Sequence, residues 1–366
     1  MAPRPLAIAH VTAEQGFSGG EVQVFLLAEG LREHGYRCVL VCPRGSRSEV
    51  EAHRRGFAIE QVPTLRDWSP LSVSRAAHAL RAARPDVVHL HTQRAAWIGG
   101  LAAKRLRLPA LATRRMDRAM KRGWRNRFIY GRAARIAVAI SKPIAGQLAD
   151  CGLPAAAIRV VASAVDPARL VAKRTRVEVR RALGATADET CILSVASLHP
   201  RKGLDVLLDA MSRLGARQLH PKLWIAGEGP GHSALETQVK KLSLAGQVTL
   251  LGQRDDIADL MVACDVFALP SRREGLGVAA LEAMALGRPI AASRVGGLAD
   301  AVGHDEAGLL VSPGDAAALA EALGRLATNP ALRLRLGTAG RERATERHSA
   351  AAMVKAYEAL YAEVLT

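Results

Sequence analysis

Short apolar runs alternate with longer amphipathic stretches along the whole chain. PLAIAHV (5–11), YRCVLVCP (36–43), FAIEQVP (57–63), PDVVHLH (85–91), LPALATRRMD (108–117) and IRVVASAV (158–165) read as strands, some running into the loop that follows. Amphipathic helices are expected between them at 21–34, 46–56 and 72–83. The pattern restarts at Cys191, with strands in CILSVASL (191–198), KLWIAGEG (222–229), QVTLLGQ (247–253), VFALPS (266–271), PIAASRVGG (289–297) and AGLLVSPGD (307–315). Between them, KGLDVLLDAMSRL (202–214), SALETQVKKLSLAG (233–246) and DIADLMVAC (256–264) carry helical periodicity. Strands alternating with helices argue for parallel sheets covered on both faces. The expected class is α/β, with two Rossmann-like doubly wound domains facing a central cleft. Pro, Arg and Lys interrupt the apolar pattern around 164–180, which divides the chain into domains at 1–165 and 166–347. Residues 348–366 form a further helix with Tyr357 and Tyr361 on one face. Ligands of such folds bind outside the carboxyl ends of the strands, so chemistry is sought in the strand-to-helix loops.

One stretch organises the rest: PSRREGLGVAALEAMALGRP, Pro270 to Pro289. Its core, Val278 to Leu286, is apolar on every side except at Glu282, and a helix apolar all round is buried. A lone carboxylate there is costly unless something binds it. Glu274, Gly275, Leu276 and Gly277 form a turn before it whose glycines let the backbone approach a ligand. Gly287 and Pro289 supply the stop. A free helix N-terminus suits a phosphate, and a carboxylate one or two turns in can accept from the two hydroxyls of a ribose. A Glu reaching solvent at a helix edge is the competing reading.

With seven residues between the two glutamates and glycines around the first, this stretch resembles the donor-site signature of retaining glycosyltransferases of family 4 (glycosyl transferases group 1) over its whole length. The resemblance extends to bacterial enzymes of lipopolysaccharide and surface-polysaccharide synthesis. It implies the GT-B fold, with the last helix crossing back onto the first domain. An N-terminal domain then holds the acceptor and a C-terminal domain the nucleotide-sugar.

Other motifs fall into place against that resemblance. FSGG, Phe17 to Gly20, precedes a helix; in the family a glycine-rich loop here covers the donor diphosphate, which assigns Gly19 and Gly20 to the donor. SLHPRKG, Ser197 to Gly203, puts Arg201 and Lys202 at a helix start, where the dipole disfavours cations unless an anion is bound. The family carries a basic pair on the donor phosphates. Lys202 matches its Lys, Ser197 stands where the family has an Arg, and Arg201 is the candidate substitute. WIAGEGPG resembles the family turn bordering the nucleotide pocket, giving Gly229 a backbone role. The family reads the base through backbone near Gln253 and Arg254. Asp255 or Asp256 is expected to cap the next helix.

On the first-domain side, His91 lies at a strand end, either turned to the cleft or as a structural histidine. Many relatives carry a His near the transferred sugar where this chain has Arg115. Arg114, Arg115 and Asp117 are candidates for holding an anionic acceptor.

Composition changes the picture in three ways. The five cysteines (Cys38, Cys42, Cys151, Cys191, Cys264) have no zinc-type spacing and read as buried thiols of a reducing cytoplasm. No apolar run is long enough for a signal peptide or a membrane span. The formal net charge of +17 calls for an anionic partner or reflects in part an Arg- and Ala-rich genome. Much of it sits between Lys104 and Arg135, where Asp117 is the only acid and Trp124, Phe128 and Tyr130 are interleaved. Residues 116–131 are expected to form a helix or loop with a cationic face, suited to an anionic inner-membrane surface at about 1 kcal/mol per basic residue; a solvated helix is the plainer reading.

These readings converge on a metal-independent, retaining hexosyltransferase of the cytoplasm, peripheral to the inner face of the cytoplasmic membrane. It would use a UDP- or GDP-sugar donor, a glycan or lipid-linked acceptor, and no cofactor. There is no Asp-x-Asp motif for a donor-site metal. Glu274, Lys202 and Arg201 would act at the reacting centre. Ser197, Gly275, Leu276, Gly277 and Glu282 would hold the donor. The family is thought to react on one face, the leaving phosphate taking the acceptor proton. A sugar-nucleotide epimerase of the same fold and a basic nucleic-acid-binding protein are the rivals. Nucleic acid is not the expected partner, because no recognised motif accompanies the charge.

Overall fold

The computed structural model describes residues 4–16, 18–63, 69–117, 120 and 122–366. It divides into two units: Met1–Ser163 with Ala350–Thr366, and Ala164–Ser349. Each is a parallel sheet wrapped by helices.

The first sheet comprises β1 (Ala7–Val11), β2 (Arg37–Pro43), β3 (Ala58–Val62), β4 (Val87–Leu90), β5 (Ala110–Arg114), β6 (Ile136–Ala139) and β7 (Ile158–Val160), in the order β3-β2-β1-β4-β5-β6-β7. Its helices are α1 (Gly19–Glu33), α2 (Arg47–Arg54), α3 (Pro70–Ala83), α4 (Gln93–Arg105), α5 (Trp124–Phe128) and α6 (Lys142–Asp150). In the second unit come α7 (Arg176–Ala182), β8 (Cys191–Val195), α8 (Leu204–Gly215), β9 (Lys222–Ala226), α9 (His232–Lys241), β10 (Val248–Gly252), α10 (Ile257–Ala263) and β11 (Val266–Leu269). They are followed by α11 (Val278–Ala285), β12 (Ile290–Ser293), α12 (Gly296–Val302), β13 (Gly308–Val311), α13 (Ala316–Thr328) and α14 (Pro330–Arg347). The second sheet runs β10-β9-β8-β11-β12-β13. The order reverses at β1/β4 and at β8/β11, the two points where such sheets open a crevice at their carboxyl edge.

Strands such as β1, β4, β6, β11 and β12 are buried at every residue, as expected for strands covered on both faces. In the second unit Ile192, Ile225, Val266 and Ala291 of the sheet pack with Leu207, Met211, Leu235 and Leu323 of the helices. All five cysteines are buried free thiols. Among the described residues no helix is long and apolar enough to cross a membrane.

α15 (Ala350–Leu365) leaves the second unit and packs on α1 and β4 of the first. Tyr361 Oη lies 2.8 Å from His89 Nδ1, and Tyr357 Oη lies 3.0 Å from Thr113 Oγ1. Arg135 donates to Val364 O at 2.7 Å, and His34 meets Glu358 at 3.0 Å.

The boundary stretch around 164–180 is ordered, and one local expectation, the helix cap, changes. Thr175 and Glu178 form a capping box that starts α7, and Arg180, itself buried, pairs with Asp265 at 2.5 Å. Asp256 stands at the N-cap of α10 but makes no capping bond. Its carboxylate is taken by Arg254 and Arg174, because a guanidinium offers stronger, charge-assisted bonds than a helix amide.

Candidate functional site

The carboxyl edge of the second sheet is built from three loops locked together by backbone. The loop after β8 donates Leu198 N to Glu228 O at 2.9 Å, and Gly231 N returns to Leu198 O at 2.7 Å. Gly229 sits within this interlock. Arg272 N, in the loop after β11, donates to Arg201 O at 2.8 Å. Gly203 is a tight point: at φ +65 it lies so close to Pro270 that an added Cβ would stand 2.0 Å from Pro270 O. Only glycine fits there, which explains the Gly of SLHPRKG as a packing requirement.

This clasp brings Lys202 and Glu274 together. Lys202 Nζ meets Glu274 Oε2 at 2.5 Å, and Ser271 Oγ donates to the same oxygen at 3.1 Å. Lys202 ends a 3-10 turn over Pro200–Lys202, immediately before α8. The cation expected to need an anion thus has one partner from the protein. An ammonium has three N–H groups, so further donors remain for a ligand. Arg201 and Ser197, on the same loop, are exposed. Arg254 is held by Asp256 at 2.8 and 2.6 Å, which leaves its backbone rather than its guanidinium as the free feature.

Gly277, at φ +83, is the N-cap of α11, and it has no side chain to occupy the helix's first amides. Gly275 O accepts from Gly297 N at 2.9 Å, fixing the turn, and Leu276 is buried beneath it. Glu282 lies in the second turn of α11. It is partly exposed, and among the described residues nothing bonds or pairs with it. Burial pushes its carboxyl up to about 7. A carboxylate on an otherwise apolar helix, with its pKa raised and no partner among the described residues, marks a candidate ligand contact.

The first unit gathers its polar groups differently. β1 and β4 pair with His10 opposite His89. With His91 these form a cluster of three buried imidazoles whose ring nitrogens lie within 4.8 Å of one another. Such a cluster can in principle hold a metal ion. Here the Arg115 guanidinium lies against His91 at 3.3 Å, and hydroxyls occupy both nitrogens of His89, Tyr361 at 2.8 Å and Thr113 at 2.7 Å. Hydrogen bonding explains the cluster better than a metal does.

Its direction can be read. Arg115 only donates, so His91 Nδ1 accepts, His91 Nε2–H donates to His10 Nδ1 at 3.0 Å, and His10 Nε2–H is left without a partner. Burial lowers His10 to about 3, with Arg115 adding to the effect. Burial likewise lowers His89 and His91 well below 6.5, so all three are neutral. His91 is therefore part of a structural network as well as lying beside Arg115.

Arg114 is buried, in contact with Tyr130. Asp117 accepts from Gln147 at 2.6 Å, an ordinary side-chain bond. Gly19 and Gly20 lie inside the first turn of α1 rather than before it. Ser18 is the cap, and Glu21 completes a capping box by accepting from Ser18 N at 2.9 Å. The signal was S-x-x-E. Phe17 lies outside the described residues.

The basic flank is half helical. α5 is followed by a π-helical turn over Ile129–Ala133. Trp97 of α4 meets Trp124 and Phe128 edge-on at 6.2 and 5.8 Å. Arg125 lies over Trp97 at 5.4 Å and Lys104 over Phe128 at 5.1 Å. Trp124 is 64% exposed. Arg118 and Lys121 of this run lie outside the described residues.

Comparison with known proteins matches residues 17–169 to the Glycosyltransferase Family 4 model and residues 175–343 to Glycosyl transferases group 1. The 2-deoxystreptamine N-acetyl-D-glucosaminyltransferase of Streptomyces fradiae is 30% identical over 350 residues, 85% of this chain and 83% of that protein. The lipopolysaccharide core biosynthesis glycosyltransferase LpsE of Rhizobium meliloti is 28% identical over 357 residues, 95% of this chain and 97% of its own length. The match to N-acetyl-alpha-D-glucosaminyl L-malate synthase of Bacillus anthracis, 26% identical, spans 63% of this chain and 60% of that protein. Among solved structures, HepE of Anabaena in complex with UDP-glucose superposes with a TM-score of 0.86 at 21% identity, covering 98% of this chain and all of that one.

Proposed function

Since the chain belongs to the family 4 glycosyltransferases (glycosyl transferases group 1), we propose that it is a retaining, metal-independent hexosyltransferase whose second unit holds a nucleotide-diphospho-sugar. The observation that carries this reading is Glu282: a partly exposed carboxylate on an otherwise apolar helix, raised to about 7 and unmatched among the described residues. The two hydroxyls of a ribose would give it the donors it lacks.

The rest follows from charge. Cleaving the bond between the anomeric carbon and the diphosphate leaves negative charge on phosphate. Lys202 and the amides at the start of α11 are placed to stabilise charge of that kind, and stabilisation that grows in the transition state raises kcat. Glu274 shares Lys202 with the ligand and would orient the sugar. The bond from the anomeric carbon to phosphate breaks on the face where the acceptor oxygen arrives. The proton of the acceptor hydroxyl passes to the departing phosphate oxygen, so no cofactor and no protein base is required. Arg115, with Nε unpartnered and Nη2 on His91, is the candidate for an anionic acceptor group, together with Arg114 and Asp117.

The donor is proposed to be a UDP- or GDP-sugar. The structural neighbour crystallised with UDP-glucose makes that donor the first to try. The acceptor is proposed to be a glycan or lipid-linked glycan of lipopolysaccharide core or surface polysaccharide, the relation to LpsE being the ground for it. The exposed Trp124 among Arg122, Arg125 and Arg127 supports a place in the cytoplasm, on the anionic inner face of the membrane. A thermal-shift panel of UDP-, GDP- and ADP-sugars tests the donor assignment. Stabilisation by a sugar nucleotide that is lost in Glu282→Ala supports it, and equal stabilisation of both proteins overturns it.

A further inference from the structure

At the opposite edge of the first sheet from its loops, where β5 begins, a cavity of about 390 Å³ opens between the end of α4, the π-helical turn and the end of α15. Every charged residue lining it is cationic: Lys104, Arg107, Arg132 and Arg135. None of the four pairs with a carboxylate among the described residues. Two have partial occupations. Lys104 lies over Phe128 at 5.1 Å, and Arg135 donates to Val364 O at 2.7 Å. Arg107 and Arg132 are exposed and have no comparable partner among the described residues. The rest of the wall is apolar, from Leu108 and Pro109 to Val364 and Leu365, with Leu365 43% exposed at the rim.

Like charges crowded around one concavity repel each other unless an anion enters. The two helix ends account for part of this charge, since cations favour helix C-termini. Arg132, in the last turn of the π-helical segment, and Arg107, just past the cap of α4, share that preference, but helix ends do not explain why no carboxylate lines the same concavity. Apolar walls shared with four cations suit a ligand with a phosphate at one end and hydrocarbon at the other. The cavity volume is within the range of small-molecule sites. Through Lys104 it is continuous with the Trp97, Trp124 and Phe128 platform.

We propose that this cavity is a binding site for the phosphate headgroup of an anionic phospholipid. It deepens the membrane-docking reading above by adding one discrete, saturable site to a diffuse charged face. Arg107 and Arg132 hold the phosphate, and the glycerol end of the lipid lies over Leu108 and Leu365.

The test uses the whole protein and dihexanoyl-phosphatidylglycerol below its micelle concentration, with dihexanoyl-phosphatidylcholine, glycerol 3-phosphate and inorganic phosphate as controls. Two variants are compared: Arg107→Gln/Arg132→Gln in the cavity and Arg122→Gln/Arg125→Gln on the aromatic platform. Expected is saturable one-to-one binding of the glycerol lipid, weakened about tenfold or more in the cavity variant and retained in the platform variant. Transfer to a soluble acceptor should be unchanged in both. Binding of inorganic phosphate alone with equal strength would reassign the site to a free anion and overturn the lipid proposal. Equal loss in the two variants, or no binding of the short-chain lipid, would overturn the discrete site. Flotation with phosphatidylglycerol vesicles tests the docking reading separately. Vesicle binding without short-chain binding sinks only the pocket, and the reverse sinks only the docking face.

Discussion

The two units place polar groups at equivalent edges of similar sheets and treat them in opposite ways. In the first, His10, His89, His91, Thr113, Tyr357 and Tyr361 are buried and almost wholly occupied with one another. In the second, Glu282 is partly open and no described residue answers it. The difference teaches how to tell a polar core from a binding site in one fold. A buried polar group matched inside the chain contributes stability, whereas one left unmatched on an apolar helix is a cost that, on the proposed function, a ligand offsets.

The strongest test of that contrast is to remove the cation. Lys202→Met should lower kcat by about a hundredfold or more, the usual effect of losing one preorganised charge partner, while nucleotide affinity falls far less. Steady-state kinetics with a UDP- or GDP-sugar measures both. Glu282→Ala comes next. Nucleotide binding should weaken about tenfold to a hundredfold, the value of hydrogen bonds to a charged group, and thermal stability should hold or rise. A fall in stability with unchanged affinity would put Glu282 on the structural side of the comparison. Tyr361→Phe should do the reverse. It leaves His89 short of a partner and should cost about 1–3 kcal/mol in denaturant unfolding, with donor affinity untouched.

The smallest and most discriminating effect is on pH. Glu282 has a folded pKa raised to about 7 from 4.5, so its folded form holds the proton more tightly. Its contribution to stability is present in full below 4.5 and lost as pH rises through 7. The histidines run the other way. His10 is lowered from 6.5 to about 3, and its contribution is present above 6.5 and lost as pH falls toward 3. Hydrogen exchange resolved by segment should therefore show β1 and β4 opening as pH falls from 6.5, and α11 tightening over the same interval. Glu282→Gln should abolish the second trend alone.

Much of this was legible in the chain. β/α alternation predicts both sheets because strands buried on two faces must be near-continuously apolar, and α11 was legible as a buried helix for a related reason. A helix with no polar face except Glu282 leaves one residue to explain. What was hidden depends on register. His10 sits in the first strand as unremarkably as any residue of PLAIAHV, and only the pairing of β1 with β4 sets it opposite His89. Tyr357 and Tyr361 were visible as one helical face, but their partners Thr113 and His89 lie more than two hundred residues away. The competition for Asp256 was likewise invisible. Its position predicts a cap, and two arginines from different segments claim it.

The return of α15 to the first unit has a consequence for synthesis. The second unit, Ala164–Ser349, is one uninterrupted length of chain and can fold as it leaves the ribosome. The first unit, although translated earlier, must wait for Tyr357 and Tyr361 to close over Thr113 and His89. The half that is made first is thus the half that is finished last.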